Sequence, residues 1–96
     1  MLDKIKKDIE SGDRVIYKLG ASWCAPCKVM DRVISGILGI NDHLVNRIYV
    51  IDIDEYPEIS EYFGISSIPV CLFIGNGEYR AKNGVLSDRE LLDWFV

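Results

Sequence analysis

The chain has 96 residues, 49% of them hydrophobic and 27% charged, with a net charge of −4. That length suits one domain with one modest core, and the composition excludes a disordered chain. The acidic balance leaves no basic stripe for nucleic acid, and no apolar run is long enough to span a membrane.

Leu2, Ile5 and Ile9 recur at helical spacing, with Lys4, Lys6, Lys7, Asp8 and Glu10 on the other face. Met1–Lys7 is therefore amphipathic rather than the apolar run of a signal peptide, and a cytoplasmic, reducing compartment is expected. Ser11-Gly12-Asp13 ends that helix. Val15–Leu19 reads as a buried strand, broken by Gly20.

Trp23-Cys24-Ala25-Pro26-Cys27-Lys28 follows. If this stretch opens a helix, Cys24 and Cys27 share one face with Cα atoms roughly 5–6 Å apart, within reach of a disulfide. Cys24 then sits at the helix mouth, where unpaired N–H groups and the macrodipole favour its thiolate, the reactive form. Pro26 suits a first turn because its missing N–H has no intrahelical partner to lose. The third cysteine, Cys71, lies far along the chain, so the three fit a redox pair plus a loner better than a disulfide framework.

The helix is predicted from about Ala25 to the region of Gly36 or Gly39, with Val29, Val33, Ile34, Ile37 and Leu38 among its apolar members. Asn41-Asp42-His43 is the loop beyond it, with Leu44-Val45 able to add a turn. Ile48–Ile53 is a second strand, and strand, helix, strand is the parallel crossover unit. Glu58–Phe63 forms a short helix closed by Gly64, and Val70–Ile74 a third strand. Gly75-Asn76-Gly77 turns a hairpin into Glu78–Lys82, and Asn83-Gly84 turns the chain again. Ser87 with Glu90 makes a capping box for a last helix whose Leu91, Leu92 and Phe95 face inward. The order is α-β-α-β-α-β-β-α in a single α/β domain spanning residues 1–96.

With these residues in place the chain resembles the thioredoxin family from Val15 to its end. Three separated features carry the resemblance: the Trp23–Lys28 motif, Ile65-Ser66-Ser67-Ile68-Pro69-Val70, and Asn76-Gly77-Glu78 followed by Gly84. It implies a thioredoxin-like fold with a mixed sheet flanked by helices. Fourteen residues before the strand at Val15 are too few for the family's extra first strand plus a helix, so four strands are expected, with Ile48–Ile53 an edge covered by the N-terminal segment or a partner. The resemblance also implies that Pro69 is cis and packs beside the cysteines, leaving the backbone of Ile68 free to pair with an extended substrate. The implied substrate surface is Trp23, Ala25, Pro26, Ile68, Pro69, Gly84 and Val85, flat and mostly apolar. The implied chemistry is attack by Cys24 on a substrate disulfide and resolution by Cys27. The implied partners are disulfide-containing proteins and a reductase that restores the dithiol. No bound cofactor or metal is required, and a monomer without nucleic-acid or membrane partners is expected.

The chain departs from the family at several positions. Where typical members carry a buried Asp before the motif this chain has Lys18, and the usual lysine partner falls at Val50. Two readings of Lys18 stay open: it stabilises a thiolate and shuttles a proton, or its head snorkels to solvent past the strand end. Gly20 replaces a Trp, which is expected to leave the site more open. Arg32 replaces a kinking proline, so a straighter helix is expected.

Cys24 and Cys27 could also form half of a zinc site, for which only Cys71 and His43 remain as soft ligands; Cys71 reads as core and His43 as a solvated loop residue. Trp94 reads as core or rim, and Asp52, Asp54, Glu55, Glu58 and Glu61 as a solvated face. The leading reading is a protein-disulfide reductase. The alternatives are a glutaredoxin-like donor that uses glutathione or serves one dedicated enzyme, such as a nucleotide reductase, and a non-catalytic binding subunit.

Overall fold

Six consecutive buried residues, Val15–Gly20, form the strand against which the rest of the chain is laid. The computed structural model describes residues 1–96. Its elements are α1 (Leu2–Ser11), β1 (Val15–Gly20), α2 (Ala25–Ile40), β2 (Ile48–Asp52), α3 (Pro57–Phe63), β3 (Val70–Gly75), β4 (Glu78–Asn83) and α4 (Asp88–Leu92), with single 3-10 turns at Asp42–Leu44 and Asp93–Phe95. The sheet order is β2-β1-β3-β4. β1 runs parallel to β2 and antiparallel to β3, and β3 runs antiparallel to β4. This is the expected four-stranded mixed sheet of a thioredoxin-like fold, with β2 at one edge.

Strand alternation sorts the core into two layers. Ile16 of β1 packs with Met30, Ile34 and Ile37 of α2, Cys71 and Phe73 of β3, and Leu91 of α4. On the opposite face Val15, Tyr17 and Leu19 pack with Ile5 of α1, Ile59 of α3 and Leu72 and Ile74 of β3. Each fully buried aliphatic side chain contributes about 1.5–3 kcal/mol by leaving water. α1 therefore covers one face of the sheet.

α2 continues past both glycines to Ile40, beyond the ending expected near Gly36 or Gly39. Gly36 and Gly39 face open space, where no neighbour would touch a side chain. Their cost is only the propensity term, about 1 kcal/mol each relative to Ala. The helix stops at Asn41, whose backbone N–H and side-chain amide both donate to the Ile37 carbonyl, at 2.7 and 3.1 Å. α1 ends at Gly12, which takes the left-handed conformation with φ 81°. α4 carries the predicted capping box: Ser87 Oγ accepts from the Glu90 N–H, and the Glu90 carboxylate accepts from the Ser87 N–H. No helix is long and apolar enough to cross a membrane.

Candidate active site at the mouth of α2

β1 delivers the chain to a short turn, and Cys24 caps α2 from an extended conformation (φ −97°, ψ 109°). Its Sγ accepts the N–H of Cys27 at 3.2 Å, so a backbone donor is already aimed at the sulfur. Pro26 lies in the first turn, where it forfeits no hydrogen bond. Cys24 and Cys27 are joined as a disulfide with Cα atoms 5.2 Å apart, the separation that one helical turn predicts. Cys24 is 6% exposed and Cys27 1%. When the bond opens, the helix mouth favours negative charge on the outer sulfur.

The peptide bond between Ile68 and Pro69 is cis. The Ile68 carbonyl oxygen lies 3.9 Å from Cys24 Sγ, and the Ile68 side chain packs against Ala21, Cys24 and Cys27. The Pro69 carbonyl accepts the N–H of Gly84 at 2.9 Å. Gly84 turns there with φ 89°, a left-handed conformation that favours glycine. Trp23, 70% exposed, stands beside the motif, and Ala25, Pro26 and Val85 are exposed with it. The structure thus brings Trp23, Ala25, Pro26, Ile68, Pro69 and Gly84 to one end of the molecule around the cysteines.

Two residues of this site escaped the sequence reading. Asp54, grouped there with the solvated acids, accepts the Trp23 indole N–H at 2.8 Å and donates its own N–H to Asp52 Oδ1 at 2.8 Å. That bond fixes an otherwise solvent-facing indole. Asp31 receives Lys18: the ammonium donates to Asp31 Oδ1 at 2.6 Å. Asp31 follows Cys27 by four residues, one turn along the same helix face, and this spacing was the available signal.

The Lys18 side chain is 3% exposed and that of Asp31 43%. Lys18 does not snorkel past the strand end. It runs beneath Gly20 into a cleft lined by Ala21, Lys28, Asp31, Val50 and Asp52. This also corrects the reading of Gly20. A side-chain carbon at that position would stand 2.6 Å from Lys18 Nζ and 3.0 Å from Cys27 Sγ, so the glycine makes room for a lysine head and a sulfur rather than opening the site.

Cys71, opposite Lys18 in the sheet register, is fully buried, and burial pushes its thiol up to about 12 while Lys18 pulls it slightly back. His43 is exposed on the 3-10 turn after α2. No group of three or more His, Cys, Asp or Glu residues is gathered closely enough to hold a metal ion.

The sequence model of the thioredoxin family matches residues 3–95. The thioredoxin of Rickettsia felis is 36% identical over 92 residues, covering 93% of this chain and 85% of that protein. Among solved structures, oxidised mitochondrial thioredoxin 3 of Saccharomyces cerevisiae superposes with a TM-score of 0.76 at 21% identity, covering 96% of this chain and 85% of its own. A structure describing thiol resolution in yeast mitochondrial 1-Cys peroxiredoxin through glutathione and thioredoxin systems gives 0.78 at 20% identity, covering 97% and 86%. Such distant structural likeness speaks for the fold, and the sequence match over nearly the whole chain speaks for the family. With a cysteine pair already bonded across the first turn of α2, the chain belongs to the thioredoxin family and is a thiol–disulfide oxidoreductase that reduces protein disulfides.

Proposed function

We propose that Cys24 is the nucleophile and Cys27 the resolving thiol, and that residues 1–96 work as one domain. The observation that carries this division is the difference between the two sulfurs: Cys24 caps the helix at the more exposed position, and Cys27 lies behind it. The Cys24 thiolate attacks one sulfur of a substrate disulfide, forming a mixed disulfide and releasing the other substrate sulfur as a thiolate. Cys27, having given its proton to solvent, attacks Cys24 Sγ. The mixed disulfide breaks, Cys24–Cys27 forms, and two electrons have passed to the substrate, whose thiolates take up protons. An external reductase then returns two electrons to the pair.

Trp23, Ala25, Pro26, Ile68 and Gly84 form the surface on which the substrate lies; Pro69, expected there too, is fully buried and acts through the cis bond that turns Ile68 toward the cysteines. Ile68 lies just before β3, outside the strand ladder, and its backbone is placed to pair with an extended segment next to the attacked bond. A peroxiredoxin disulfide is a reasonable substrate class, given the similar structure that concerns one. The protein acts as a monomer in a reducing, cytoplasmic setting, a reading supported by its single close pair among three cysteines.

The test is reduction of insulin disulfides by the reduced protein. Cys24→Ser is expected to abolish turnover, and Cys27→Ser to accumulate a mixed disulfide with the substrate. Full activity in the double Cys→Ser variant would refute this assignment and favour the binding-subunit reading.

A further inference from the structure

Lys18 is a cation on the central strand whose side chain is almost wholly out of solvent, and its head borders the inner sulfur of the redox pair. The groups around that head are few. From α2 come Asp31, bonded at 2.6 Å, and Lys28; from β2 come the apolar Val50 and Asp52; from β3 comes Cys71, neutral and buried. Asp31 is 43% exposed, whereas Cys27 is buried.

We propose that Lys18 is a positioning residue for charge: its ammonium, shared between Asp31 and Cys27, stabilises the Cys27 thiolate and makes the Cys24–Cys27 couple more oxidising than a neutral residue at position 18 would. The proposal rests on the reading of Cys24 and Cys27 as the redox couple. In the disulfide the inner sulfur is neutral, and Asp31 is the ammonium's bonded anion. When two glutathione thiols are joined as glutathione disulfide and the Cys24–Cys27 bond opens to the dithiol, Cys27 can give its proton to solvent. The ammonium then has a second anion beside it. It interacts differently with the two redox states, and only such a difference can move an equilibrium between them. Stabilising the thiolate stabilises the reduced form, which raises the potential of the couple.

Asp31 works against this effect. A carboxylate beside the ammonium draws on the same charge and repels a thiolate one turn away on the helix. Removing the lysine charge and removing the aspartate charge therefore shift the couple in opposite directions, a pattern that general loosening of the fold does not produce.

Two charges a few ångströms apart at an effective dielectric near 20 are coupled by more than a factor of ten, and the open cleft and Asp31 reduce this. Equilibration of the whole chain against a series of glutathione redox buffers reads the effect. Lys18→Met is expected to move the equilibrium constant toward the disulfide by about tenfold, roughly 30 mV for a two-electron couple. Asp31→Asn, a change at a half-exposed helix position, is expected to move it a few-fold toward the dithiol. In a Cys24→Ser background, the thiolate absorbance of Cys27 should titrate at higher pH once Lys18 is replaced by Met. An unchanged equilibrium in Lys18→Met, or a shift of the same sign in both variants, overturns the proposal. Should Lys18→Met fail to fold, the sign of the Asp31→Asn shift decides. A wild-type chain whose pair does not exchange with glutathione at all would instead remove the redox reading beneath it.

Discussion

β1 presents neighbouring residues to opposite faces of the sheet, and each face holds a lysine–aspartate pair put to different use. Under α1, Lys4 Nζ donates to the Tyr17 hydroxyl at 2.9 Å and to Asp8 at 3.1 Å, and the Tyr17 hydroxyl donates to Asp8. Lys4 also lies 4.1 Å from the centre of the Tyr49 ring, which stacks on Tyr17 at 4.8 Å. Burial works against the Lys4 ammonium, but the bonds to Tyr17 and Asp8 outweigh it and raise its proton affinity. Burial, with the bond to Asp8, likewise raises that of Tyr17. This network is closed on itself and fastens a helix to a sheet. Under α2 the pair Lys18–Asp31 is left open on one side, and the group on that side is a sulfur that changes charge. Similar charges give a fastener in one place and, on the proposal above, an influence on chemistry in the other. What borders the ammonium makes the difference.

The largest expected effect that tests this contrast comes from Gly20→Ala. The added methyl meets Lys18 Nζ at 2.6 Å and Cys27 Sγ at 3.0 Å, so a loss of about 1–3 kcal/mol is expected in urea unfolding. The glutathione equilibrium should also shift, because the lysine head is displaced from the sulfur. Wild-type values in both measurements would break the contrast on the α2 side.

Tyr17→Phe sharpens the other side. It removes the hydroxyl between Lys4 and Asp8 and should cost about 1 kcal/mol, with the glutathione equilibrium unmoved. Tyr17 keeps its proton more tightly folded than unfolded, so its neutral form stabilises the protein below the ordinary phenol value of 10.0, and that contribution is lost as pH rises beyond it. Lys4, raised from 10.5, acts in the same direction. Alkaline unfolding should therefore be shallower in Tyr17→Phe than in the wild type.

The smallest effect is expected at the cap of α4. The Ser87 backbone N–H, above all, holds the Glu90 carboxyl below its ordinary value of 4.5. A lowered acid contributes stability above that ordinary value and loses it as pH falls through the folded one. Glu90→Gln should slightly flatten the acid limb of the stability profile, leaving neutral activity unchanged.

The element order, the pairing of Cys24 with Cys27 and the cap at Ser87 were all legible in the sequence, because each rests on local spacing or on chemistry within one turn. Asp31 and Asp54 were not, for two different reasons. Asp31 stands one turn from Cys27, but its partner Lys18 lies on another element, so their pairing appears only once β1 is laid against α2. Asp54 meets Trp23 from 31 residues away, with no periodicity linking them. The glycines misled in both directions. Gly36 and Gly39 suggested an ending, but in open space a helix tolerates them; Gly20 suggested an opening, yet it marks a close approach of side chain and sulfur. A sequence shows which residue is small, and only packing shows whether the smallness is used.

One consequence follows from Cys71. A third sulfhydryl so withheld from water, keeping its proton far into the alkaline range, has no means of intercepting a captured substrate. On the proposed division of roles, the mixed disulfide on Cys24 has a single way out within its own chain, and each docking event ends either in completed reduction or in retreat along the path of entry.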